Sequence, residues 1–131
     1  MYADDHLYSE FSDDSREPME NQIKKGIELG LDEMCFTDHV DYGIKRDWDD
    51  PKGIEVHTSS WHYGLADTQP GRNILRLYKD FGGKISTVDS DALRTEFLAD
   101  HIRDAYAILK EEPGFTRIAT FEHRNPVFHA L

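Results

Sequence analysis

The sequence predicts an α/β protein with a mainly parallel sheet, and three observations carry that expectation. Short apolar runs with polar ends alternate with stretches of helical period. Loops rich in Gly, Pro and Asp separate them. No internal repeat or low-complexity segment interrupts the alternation. The length of 131 residues suits a single domain, with an N-terminal β/α part over 1–53 and a C-terminal β/α part over 54–131.

Residues 2–8 read as a short strand ending near His6 and Tyr8. Glu17 and Pro18 open a helix with Ser15 as its cap; Met19, Ile23 and Ile27 then recur every four residues, and Gly30 is a natural stop. EMCFTDH, residues 33–39, reads as a buried strand ending in Thr37, Asp38 and His39. In DYGIKRDWDDPKG the periodicity disappears, and the stretch reads as a loop. IEVHT, residues 54–58, is a short strand, followed by a second loop, SSWHYGLADTQPG. Ile74, Leu75, Tyr78 and Phe81 mark a helix that stops at Gly82 and Gly83. KISTV, residues 84–88, is the next strand, with Asp89, Ser90 and Asp91 at its end. Residues 95–112 give the clearest helix, with Thr95 as N-cap and Leu98, Ile102, Ala105, Tyr106 and Leu109 on one face. TRIATFE, residues 116–122, closes the set as a strand.

Charge narrows the function classes. The formal net charge of −11 argues against general nucleic-acid binding, which needs a basic footprint to displace counterions. It also makes an anionic substrate awkward unless a bound divalent cation reverses the local field. Cys35 is the single cysteine, so no disulfide framework is expected, and a reducing cytoplasm is the default setting. Within an apolar strand, its thiol is expected to be an inert core group. The N-terminal MYADDHLY lacks the basic and apolar regions of a signal peptide, and no stretch approaches a membrane span. Phosphate loops, zinc-protease helices, nucleophile elbows and dinucleotide fingerprints are absent from the sequence.

The informative pattern lies at the strand ends. His6, His39 and Asp91 fall at or just beyond the C-terminal end of an expected strand, and Asp14 lies in the loop after the first. That edge of α/β sheets and barrels is where ligands and metals collect. Imidazole and carboxylate together suit zinc, manganese or iron. Simpler roles stand beside this one. A strand-end histidine can be a hydrogen-bonded structural residue, FSDDS can be a cap and Asx turn, Asp89 and Asp91 can cap the following helix, and Tyr8 can be a packing residue.

Four stretches, HLYSEFSDDS, LGLDEMCFTDHVDYGIKRDWDDP, EVHTSSWHYGLADTQP and ILRLYKDFGGKISTVDSDA, resemble the histidinol-phosphatases of the PHP (polymerase and histidinol phosphatase) family, as does the ending TFEHRNPVFHAL. The resemblance implies a remnant of a distorted seven-stranded β/α (TIM-like) barrel, mainly parallel strands with flanking helices. It implies divalent metal ions (Zn, Mn or Fe) and hydrolysis of L-histidinol phosphate to L-histidinol and phosphate. Residue by residue, His6 matches the first histidine of an H-x-H motif, His39 that of TDH, and Asp91 the aspartate of SDAH. Asp14 matches a polar position near the metals.

The same resemblance shows departures. Tyr8 and Leu93 stand where the family has histidines, Asp89 where it has glycine, and His57 where asparagine is common. The chain passes from DWDDPKG directly into EVHTSSW, which implies a shortened domain without the family's middle strands, a metal-bridging glutamate among them. Two readings follow. One is a metal-dependent phosphomonoesterase acting on a small-molecule phosphate monoester, with reduced activity. The other is a non-catalytic fragment with weak metal binding or an assembly role. Neither nucleic acid nor membrane is an expected partner, and self-association would cover exposed sheet edges.

Overall fold

The computed structural model describes residues 1–12, 15–37, 53–123 and 125–131. Chain order is β1 (Ala3–Leu7), α1 (Met19–Leu29), β2 (Glu33–Phe36), β3 (Ile54–His57), α2 (Arg72–Asp80), β4 (Ser86–Asp89), α3 (Ile102–Glu111), β5 (Arg117–Glu122) and β6 (Asn125–Ala130). β1 pairs with β2 and β3 with β4, both parallel, whereas β5 and β6 form an antiparallel ladder. The result is a mixed α/β fold with small, mostly parallel sheets, and among the described residues no closed barrel is formed.

The core sits between the sheets and two helices. Val56 of β3 and Val88 of β4 pack with Leu75 of α2, with Ile102, Ala105 and Leu109 of α3, and with Ile118 of β5. Burying each of the larger aliphatic side chains contributes about 1.5–3 kcal/mol. A smaller cluster of Leu7, Ala92 and Leu98, backed by Met34 and Phe36, closes the C-terminal end of β1. β1 is drawn to that place by a polar tie. The fully buried Asp4 carboxylate accepts the Ser90 N–H at 2.9 Å, the Ser90 hydroxyl, and the Ala99 N–H at 2.8 Å. Leu7 then bridges Ala92 in parallel, so the ends of β1 and β4 lie side by side.

Several sequence expectations are corrected here. Helix α1 presents Gln22 and Gly26 inward, while Ile27 is 74% exposed. Its rotation is set by close approach: a Cβ at Gly26 would sit 2.2 Å from Met34 Sδ. Ser15 is not the N-cap, a position Pro18 holds; its hydroxyl instead accepts the Glu17 N–H at 3.1 Å. The helix expected over residues 95–112 starts later. Residues Thr95–Phe97 form a 3₁₀ turn, and left-handed φ values of 57° at Ala99 and 58° at His101 separate it from α3. Cys35 is exposed rather than buried in a core. The expected strand ends at His39 and the loop from Val40 lie outside the described residues.

Candidate metal centre

Glu55 and His57 stand two residues apart on β3, so the pleat puts both side chains on one face. The parallel register sets His57 directly beside Asp89 at the end of β4. His6 arrives from β1, whose position the Asp4 tie fixes. The His6 Nδ1 lies 2.9 Å from Glu55 Oε1, and its Nε2 meets the Tyr8 hydroxyl at 2.8 Å. The His57 Nδ1–H donates to Asp89 Oδ1 at 2.6 Å, and its Nε2 lies 3.7 Å from Glu55 Oε2. His6, Glu55, His57 and Asp89 each offer one ligand atom, and those atoms all lie within 4.8 Å of one another.

Opposite charges this close share their protons. His57 is pushed up to about 9, first by its hydrogen bond to Asp89 and against the effect of burial. Burial pushes the Asp89 carboxyl up as well, although His57 pulls the other way. The pair therefore holds one proton tightly, and it rests on His57 while Asp89 carries the negative charge. His6 is raised by its hydrogen bond to Glu55, whose own carboxyl is lowered: burial raises it, but the two histidines outweigh that.

These shifts predict a pH dependence of the metal-free chain. A group whose folded pKa is raised contributes stability that is complete below its unfolded pKa and is lost as pH rises through the folded value. For His57 that window runs from about 6.5 to about 9. Asp5, pushed up to about 7 by burial and then by Glu33, acts in the same direction at its lower end. The melting temperature in EDTA is thus expected to fall between pH 6.5 and pH 9.5, and the fall should shrink in His57→Gln. A flat profile in the parent chain would contradict the shared-proton description.

The donor set fits a small divalent ion. Two imidazoles and two carboxylates match borderline metals such as zinc, manganese or iron. Asp89 is fully buried, yet its Oδ2 has no hydrogen-bond partner among the described residues, the condition expected of an atom built to meet a cation. Beneath the group, a cleft of about 320 Å³ runs toward the other strand ends, lined by Asp5, Glu33, Cys35, Glu55 and Thr87. Partial desolvation of the sulfur where Cys35 lines this cleft, then the negative charges of Asp5, Glu33 and Glu55, raises its thiol, which favours the protonated form.

Of the residues singled out from sequence, His6 belongs to this group. Asp14 and His39 lie outside the described residues. Asp91 follows β4 with a left-handed φ of 51° and is not among the four converging side chains. Glu55, His57 and Asp89 complete the group and were not among the ligands expected. A signal for them was present: Glu55 and His57 have strand spacing, and Asp89 ends the next strand.

Comparison with protein families matches residues 4–84 to the PHP domain. The chain belongs to the PHP domain family. No curated protein and no solved structure matches it significantly. The matched residues include His6, Glu55 and His57, while Asp89 lies just beyond them. PHP domains bind divalent metals and point to a metal-dependent, hydrolase-like family, which agrees with the donor set assembled here. No helix among the described residues is long and apolar enough to cross a membrane.

Proposed function

We propose that this PHP-family chain is a metal-dependent phosphomonoesterase of the histidinol-phosphatase type, built on a shortened remnant of the family's barrel. One observation supports this most: His6, Glu55, His57 and Asp89 converge at the C-terminal ends of parallel strands. Glu55 and Asp89 supply the negative charge that would hold the ion, and His6 and His57 the neutral nitrogens once their protons leave. A bound divalent ion supplies charge neutralisation of the phosphate and a water of lowered pKa. Glu55, reaching both imidazoles, keeps their rings oriented. The substrate in this reading is L-histidinol phosphate, in a cytoplasmic setting, with self-association covering exposed sheet edges.

A second reading, metal binding without turnover, is favoured by the closure of the site. Four protein ligands leave a tetrahedral ion no open position for water, and Tyr8 occupies His6 Nε2. Phosphate release from L-histidinol phosphate with added Mn²⁺ or Zn²⁺ separates the two. Turnover that disappears in His57→Ala supports the phosphatase. Metal retained by a folded chain without phosphate release would leave the second reading standing.

A further inference from the structure

A pocket of about 400 Å³ lies beside the ends of β1 and β4, lined by Ser15, Arg16, Glu17, Leu93 and Arg94. It opens at the same end of the strands as the His6–Asp89 group, because Leu7 bridges Ala92 and the Tyr8 N–H reaches the Ala92 carbonyl at 3.4 Å. The buried Ser15 hydroxyl donates to the Leu93 carbonyl at 2.8 Å, which clamps the two chain segments together. Arg16 and Arg94 are the next residues on either side of that clamp, so both line one pocket from a fixed base. Both are exposed. Arg16 makes no hydrogen bond or ion pair among the described residues. Arg94 makes a long contact of 3.4 Å to Glu96, an exposed pair of the kind that contributes little.

We infer that Arg16 and Arg94 form an anion subsite that holds the phosphoryl group of a phosphate monoester. Guanidinium forks match phosphate oxygens bidentately, and two of them in a chain of net charge −11 create the local reversal of field that an anion needs. Glu17 shares the pocket and opposes the anion; its carboxyl is held below the usual range, first by its hydrogen bond to Thr95 and also by Arg94. The rival basic pocket, of about 310 Å³, is lined by Lys79, Lys84 and Arg117 near the start of β5. There Lys79 is already engaged by the Pro113 carbonyl at 2.8 Å and by the Gly114 carbonyl, and Arg117 lies 3.8 Å over the Phe128 ring. Two of its three cations are spent on structure, and Lys84 remains alone where the first pocket has two guanidinium-bearing residues. The choice of phosphate as the anion rests on the phosphomonoesterase reading above.

The test is titration of the full chain with inorganic phosphate in EDTA at low salt, followed by amide chemical shifts. The parent is expected to bind saturably, with shifts at residues lining this pocket. The double variant Arg16→Gln/Arg94→Gln should weaken binding about tenfold or more, as charge-assisted hydrogen bonds are lost. Glu17→Gln should tighten it, and Lys84→Gln should leave it unchanged. No saturable binding by the parent, equal binding by the double variant, or loss in Lys84→Gln would each overturn the inference. Because metal is removed, failure of phosphatase turnover and failure of this subsite are read separately.

Discussion

Asp89→Asn is expected to lower divalent-metal affinity by about a hundredfold while leaving the melting temperature of the metal-free chain at pH 9.5, above the His57 titration, equal or higher. Asp89 is fully buried, with one oxygen on His57 and the other without a partner among the described residues. A buried carboxylate satisfied on one side only is costly without an ion. Asparagine keeps an acceptor for the His57 Nδ1–H and removes a charge that at pH 9.5 no longer faces a protonated His57, so the metal-free fold loses little at that pH. An ion at the same place loses a charged ligand. Calorimetric titration of Zn²⁺ together with thermal melts in EDTA gives both quantities. A variant that bound zinc as well as the parent would remove Asp89 from the centre. A variant that melted far lower without metal would make the residue structural.

Asp4→Ala is expected to be the most damaging substitution for the fold, costing about 2–5 kcal/mol. The carboxylate has no exposure and accepts two N–H groups and a hydroxyl, from Ser90 and Ala99. Burial pushes its pKa up against those donors, so the tie persists only because all of them point at it. Removing it strands buried donors and also frees β1 from β4, which carries His6 away from Asp89. Urea unfolding in EDTA measures the loss directly. A change below about 1 kcal/mol would mean that the Asp4 tie contributes only what an ordinary hydrogen bond does.

The links between sequence and structure fail in instructive places. Strand positions were legible because short apolar runs ended in polar residues, and α2 because its apolar spacing ran without a break up to Gly82. The start of α3 was not, since left-handed backbone at Ala99 and His101 breaks the helix at residues with no glycine to announce it. Strand β6 was hidden by Pro126, which a ladder tolerates only at an edge; it pairs with Phe121 there. His6 was legible as a strand-end imidazole. His57 and Asp89 stand out in the sequence only as departures from a family pattern, which says nothing of their meeting. Their adjacency depends on the parallel register of β3 and β4, joined through α2, and no local spacing encodes that register. Two departures from the pattern have become each other's partners.

The function proposed depends on the identity of the metal ligands, so the most direct measurement is X-ray absorption at the zinc edge. It would compare the zinc-loaded chain with His57→Ala. A shell of nitrogen and oxygen at about 2.0–2.1 Å is expected, with the imidazole scattering reduced when His57 is removed. Zinc lost on dialysis of the parent, or an unchanged imidazole signal in His57→Ala, would contradict it.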